Sequence, residues 1–486
     1  MKSKKLVIRV ISTMLLLCTI LTLSVSMVAC KKTDETPVET GTVSTDGSEL
    51  AFGKENYGKE LKMLYHTSTT YVNYFFDEVT EAGELMRAAL EERRLLVEDY
   101  LGVRIVGEAA GTSVNSVYET LSKAASSGDD VYQVALTHCY GGLTKIAIEG
   151  YVKDLYGFDD ISLDDEYWNV NAMESLEIGG KAYYGMSDYM INDVCAVFYN
   201  KKMYNDAKIN EDLYDLVRNG EWTLEKLQLF ASKVAVNTGD LAWDKNDTYG
   251  FAARADWEFI PLIDSCEVQC LTGASNKVLN MGPNNQRYQS LFEICEKIAD
   301  AEWSYMYNWG DDENKVTIAD NRFMFTLDQL RYAPNYLSSG VDFGVLPYPK
   351  YDKEQKDYHS LDAGGMICVP SSVRDDVMVG KTLECLAYFS ADTVHTAYYE
   401  RLLGSRVAEA PDDAEMLSEY IFGKVVLNPA YNYSGKATEP LGVLIYTIPK
   451  MLRAKLNGTE IDTISTNWAS YRLNAQKVID DTLNKK

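Results

Sequence analysis

The chain is expected to fold as an α/β protein, and three features of its sequence predict this. The alternating run Glu60-Leu61-Lys62-Met63-Leu64-Tyr65 is followed by apolar residues at helical spacing and then by a second extended run. A second unit, helix then strand, follows between Val114 and Leu136, and further helices are expected after Thr223 and from about Asp376 to Phe389. Strand, helix, strand in this order is how an α/β layer opens.

The elements follow in order. Glu60 to Tyr65 reads as a strand ending in a polar loop that contains His66. Met86, Leu90, Val97 and Leu101 fall at helical spacing, so a helix is expected from about Glu81 to Leu101, and Gly102 to Val106 then returns to strand character. A second helix around Val114 to Ala125 leads through the turn Ser126-Ser127-Gly128-Asp129-Asp130 to the strand Val131 to Leu136, whose end delivers Thr137, His138, Cys139 and Tyr140. Ligands gather at such strand ends in open α/β sheets. Further on, Thr223 stands before an acidic, apolar helix as an N-cap, and a helix is expected from about Asp376 to Phe389. No fixed internal repeat is present.

Ahead of the α/β body stands an export segment. Lys2, Lys4, Lys5 and Arg9 precede the apolar stretch Met14 to Val28, and Ala29 stands immediately before Cys30. Met27-Val28-Ala29-Cys30 resembles the lipobox of a bacterial lipoprotein, which makes residues 1–29 a signal peptide and Cys30 the lipidated first residue. Residues 30–56 are rich in Thr, Glu, Asp, Gly and Ser and read as a flexible tether.

The formal net charge is −25, and loss of the four basic residues of the signal takes it to −29. Such a body repels phosphate backbones, so nucleic acid is not expected as a partner. Of nine cysteines, seven remain after Cys18 and Cys30 are set aside, an odd number, and most sit in apolar runs as small buried hydrophobes. Only Cys266 and Cys270 are placed for a local disulfide. None of the four histidines, His66, His138, His359 and His395, lies four residues from another, so no helical zinc pair is present. Neither a Gly-x-Ser-x-Gly elbow nor a Walker-type phosphate loop occurs. The Asp- and Asn-rich stretch Asn237 to Asp247 reads first as a polar turn and second as a calcium loop, since Leu241 and Trp243 stand where calcium needs oxygen ligands or glycine.

Four strings then occur in a telling order: Tyr199-Asn200-Lys201-Lys202, Glu221-Trp222-Thr223, Tyr249-Gly250-Phe251, and Phe343-Gly344-Val345-Leu346-Pro347-Tyr348-Pro349-Lys350. With Gly365 to Pro370 and Ala397-Tyr398-Tyr399-Glu400 they resemble the landmarks of extracellular solute-binding proteins of carbohydrate ABC importers, family 1-like, over nearly the whole mature chain. The resemblance implies an α/β, two-lobed periplasmic-binding-protein-like (type II) fold with a ligand cleft between the lobes. By the same analogy one lobe holds residues 57–187 and 362–410 and the other 188–361 and 411–486, with crossings near Ser187 and Leu361.

The thirty-four tyrosines and seven tryptophans offer flat faces with polar edges, which suit sugar rings. Those in loops after strands, or near a crossing, are the candidates for the cleft. The expected ligand-binding residues are His66 and Tyr140 from the first lobe, Asp188, Tyr189 and Asn192 at the crossing, and Trp257, Trp309, Asp328 and Arg331 from the second. Asp328 and Arg331 are equally spaced for an i,i+3 pair on a helix, while Trp168 and Trp222 read as structural. The expected function is capture of a sugar or oligosaccharide by a monomer anchored through lipid on the outer face of the membrane, and delivery to an ABC permease. Catalytic residues, metal and cofactor are not expected. A surface-anchored glycosidase, or a binding protein for peptides or other small solutes, is the alternative; an enzyme would need one carboxylate pair for turnover.

Overall fold

Three early strands, β1 (Lys59–His66), β2 (Val103–Gly111) and β3 (Val134–His138), run parallel, with helices α1 (Gly83–Leu101) and α2 (Asn115–Ser127) making the returns. In this computed structural model the described residues are 47–68, 83–138, 143–187, 194–239, 243–268, 271–272, 280–281, 285–308, 310–311, 313–362, 364–398, 410–433, 440–459, 473–477 and 480–481. The pleat sends alternate side chains of β1 to opposite faces. Leu61 and Met63 pack with Val97 and Leu101 of α1, and Leu64 packs with Val117 and Leu121 of α2. β3 begins three residues later than its apolar run suggests. Val131 is exposed, and bonding to β1 begins only at Gln133, whose N–H donates to Lys62 O at 2.9 Å and whose Oε1 accepts from Lys62 N–H at 2.8 Å, just ahead of Val134.

The chain then builds a second sheet from β4 (Cys195–Asn200), β5 (Ala235–Val236), β6 (Thr248–Arg254), β7 (Ser304–Tyr307), β8 (Phe323–Gln329) and β9 (Phe343–Leu346). β10 (Gly365–Cys368) returns to the first sheet, whose order is β10-β3-β1-β2. In the second sheet the order is β9-β4-β8-β6-β5, with β7 also paired to β6. β6, β7 and β8 are parallel, and β4 runs antiparallel to β8 and β9.

Between the helices, α3 (Leu224–Ala231) starts as expected at Thr223, whose side chain accepts from Lys226 N–H. Trp222 is fully buried and donates its indole N–H to Pro347 O at 2.9 Å. Helix α4 (Asp376–Ser390) is capped by Asp375, which accepts from Met378 N–H at 3.2 Å. In the polar turn before β6 the Asp247 carboxylate accepts backbone N–H groups of Thr238 at 2.6 Å and Asp244 at 2.8 Å. Cys195, Cys266, Cys295, Cys368 and Cys385 are buried free thiols, and burial pushes Cys266 up to about 12. Cys139 and Cys270 lie outside the described residues. No described helix is long and apolar enough to cross a membrane.

The two sheets are joined by a pair of segments. Gly185 still bridges to Ile367 of β10, while Val194, immediately before β4, bridges to Asp362, shortly before β10. One segment therefore leaves the first sheet where the other returns to it.

Candidate functional site

Strand direction decides where a site can form. In the first sheet β1 and β3 end at His66 and His138, and the antiparallel β10 begins there, with Gly365 opposite His138. In the second sheet β6, β7 and β8 end at Arg254, Tyr307 and Gln329, and β4 begins there, with Cys195 opposite Gln329. Since β4 follows directly on Val194, and β10 begins three residues after its bridge partner Asp362, the carboxyl ends of the parallel strands in both sheets adjoin the crossing pair. This is the edge at which α/β sheets bind ligands.

On the first sheet the register of β1 against β2 slips between Tyr65 and His66, so that His66 pairs with Gly111. Such a bulge re-aims the side chain beside it. Gly111 has φ +148°, and a Cβ there would stand 2.7 Å from Ser116 Oγ. The His66 ring is 2% exposed and meets His138 edge-on, with centroids 6.0 Å apart. Burial pulls His66 down to about 4, so the ring is neutral at pH 7. Ser68 N–H donates to Nδ1 at 3.3 Å, which assigns the remaining proton to Nε2. That atom is buried and has no hydrogen-bond partner among the described residues. It is a donor awaiting an oxygen.

On the second sheet Trp257 follows β6 in a single 3-10 turn, Trp257–Phe259. Asp256 Oδ1 fixes that turn by accepting from both Arg254 Nε and Trp257 N–H, each at 2.5 Å. Glu258 accepts from Arg254 N–H at 2.5 Å, and Tyr348 donates its hydroxyl to Glu258 O at 3.0 Å. The Trp257 ring lies 5.2 Å from Tyr431, and its Nε1 is buried without a partner among the described residues. Burial, opposed by Arg254 and reinforced by Asp328, pushes Glu258 up to about 8.

Asp328 and Arg331 are not a helical pair. Asp328 is the sixth residue of β8, where its carboxylate accepts from Tyr336 OH and from Gln329 N–H at 2.8 Å, and burial raises it above the usual carboxylate range. Arg331 stands in the following turn, where Nη2 donates to Gln329 Oε1 at 3.1 Å and to Tyr332 OH at 3.0 Å. His66 is thus placed at the edge of the first sheet, and Trp257, Asp328 and Arg331 at that of the second. Tyr140, Asp188, Tyr189, Asn192 and Trp309 lie outside the described residues. Sequence reasoning missed the Arg254, Asp256 and Glu258 cluster and Tyr431. The cluster stands beside Trp257 in sequence, but Tyr431 is 174 residues away and nothing local announces it.

The class this fold defines is the two-lobed, periplasmic-binding-protein-like one. Among solved structures, the sugar-binding protein MalE of Xanthomonas citri is similar with a TM-score of 0.59 at 10% identity, over 87% of this chain and 98% of that one. The cyclic alpha-maltosyl-1,6-maltose binding protein of Arthrobacter globiformis has a TM-score of 0.58 at 14% identity, over 87% and 99%. A family 1 extracellular solute-binding protein of Bifidobacterium longum subsp. infantis has 0.56 at 16% identity, over 88% and 100%. These neighbours are binding proteins rather than enzymes, and at such identities the likeness establishes the fold. No family model and no curated protein sequence matches the chain.

Proposed function

We propose that this protein is a membrane-anchored binding protein that captures a sugar or oligosaccharide between two lobes and delivers it to an ABC permease. The observation that carries the reading is the meeting of strand ends at the crossing pair, with buried donors on both sides that have no partner among the described residues: His66 Nε2 from the first sheet and Trp257 Nε1 from the second. A hydroxyl-rich ring satisfies such donors and stacks on the rings beside them. The ligand contacts both edges only when they approach, so it stabilises the closed arrangement. Tyr140, Asp188, Tyr189, Asn192, Trp309, Asp328 and Arg331 complete the proposed site. The proposed lobes hold residues 57–187 with 362–410, and 188–361 with 411–486.

Lipid on Cys30 and the 30–56 tether would hold a monomer at the outer face of the membrane, close to its permease. The protein has no catalytic role in this scheme. A thermal-shift screen of residues 55–486 against sugars, oligosaccharides and peptides tests it. A ligand at 100 times its Kd adds about 2.7 kcal/mol and should be recovered unchanged. Stabilisation by peptides alone, or turnover of the sugar, would refute the reading. Trp257→Ala should weaken the stabilising ligand by about tenfold or more, read by titration calorimetry.

A further inference from the structure

On the far side of the crossing pair from the two histidines the structure has a cavity of about 280 Å³. Its position follows from the pairing order. Trp168 bridges to Ser187, Gly185 bridges to β10, β10 pairs with β3, and β3 pairs with β1, so the cavity wall at Trp168 lies across the crossing segment from His138 and His66. Ser187, Val194 and Asp362 of the crossing line it directly, whereas His66, Trp257 and Asp328 do not.

The walls are firmly built. Glu384 of α4 accepts from Trp168 Nε1 at 3.0 Å, Tyr167 OH at 2.7 Å and Ser162 N–H at 3.1 Å, which locks the aromatic side. The opposite side comes from two π-helical stretches. Ala391–His395 prolongs α4 and brings His395 and then Tyr398 to the cavity, and Met416–Ile421 runs directly into Phe422. Stretches of this kind are rare and concentrate at functional sites. The Phe422 ring lies 6.0 Å from Tyr398 and 6.4 Å from His395.

The chemistry of the lining is selective. Rings alternate with the amides of Asn169 and Asn171 and the carboxylates of Glu166 and Asp362, and no lysine or arginine lines the cavity among the described residues. An anion is disfavoured there, and the volume sits near the lower end of small-molecule sites, about 300 Å³. We propose that this hinge cavity is a second binding site, taking a single neutral sugar ring, on the face of the crossing opposite the strand-end cleft. The proposal stands apart from the reading of that cleft. Since the floor is the crossing pair itself, an occupant would also bias how the two sheets turn about it.

The test is titration of the full chain with methyl α-glucoside and, as an anionic counterpart of the same size, glucuronate, read by saturation-transfer NMR. The glucoside should bind saturably and glucuronate should not. Phe422→Ala and Asn171→Trp, the latter at the exposed rim, should each raise the glucoside Kd at least tenfold, while Leu229→Ala, on the exposed face of α3 and outside the cavity lining, leaves it unchanged. Having two variants guards against loss of fold in one, and each is checked by its melting temperature without sugar. Absence of glucoside binding, or equal binding of glucuronate, overturns the proposal. So does loss of binding in Trp257→Ala with retention in Phe422→Ala, a result that would place the sugar in the strand-end cleft and support the proposed function instead.

Discussion

Two residues at the strand ends carry opposite pH signatures. An unfolded histidine takes up its proton near 6.5 and folded His66 only near 4, so the unfolded chain binds more protons between these values and stability falls as pH drops through the window. The full effect is about 3 kcal/mol. His66→Gln should flatten this acid limb in urea denaturation between pH 4 and pH 7. Glu258 behaves in the reverse sense. Its unfolded carboxyl ionises near 4.5 and the folded one near 8, so the folded chain holds the extra proton and stability falls as pH rises through that window. Asp264, pushed up to about 7 by burial, adds to the same slope. Glu258→Gln should remove most of the alkaline decline, and an unchanged profile would show that Glu258 ionises freely in the fold. Chain position alone suggested His66 as a cleft residue. Its tautomer and the burial of its Nε2 depend on Ser68 and on the bulge against Gly111, which no spacing rule reveals.

At the scale of elements, the landmark strings turn out to be packing devices of the second sheet. Tyr199 pairs with Gly344, Trp222 donates to Pro347 O, and Thr223 bridges to Lys350, so three strings far apart in sequence meet in one layer. Their glycines mark close approaches. A Cβ on Gly250 would run into the carbonyl oxygen of Ala231, the last residue of α3, and one on Gly344 would strike the Tyr199 ring. Gly250→Ala should therefore cost about 1–3 kcal/mol by chemical denaturation, whereas Gly53→Ala, with nothing within 4 Å of its Cβ, should cost little. Helices α1 to α4 were legible because apolar spacing and capping residues are local. The start of β3 was not, because Val131 is left exposed and the chain bonds to β1 only from Gln133 onward.

For the whole molecule, the question is what binds the late part of the chain to the second sheet. Asp413, fully buried in the short helix Pro411–Glu415, accepts from Lys201 Nζ at 3.1 Å, Tyr214 OH at 2.6 Å and Val345 N–H at 2.9 Å. It ties that segment to β9 and to the start of the helix after β4. Asp413→Ala would strand a buried hydroxyl and a backbone N–H, and should cost about 3–5 kcal/mol in urea unfolding. A loss below about 1 kcal/mol would mean that the neighbouring apolar contacts hold the segment unaided.

The sequence by itself determined the α/β alternation, the limits of α1, α2 and α4 to within about two residues and the start of α3, the acidic character and the order of the landmark strings, because periodicity, caps and composition are local properties. Only the tertiary structure decided that β8, not a helix, carries Asp328, that Trp257 rests on Tyr431, and that Ser187, Val194 and Asp362 of the crossing pair line a cavity. The reason is physical. Each of these depends on strand register and on contacts between segments more than a hundred residues apart, and such contacts leave no periodic trace in the chain that makes them.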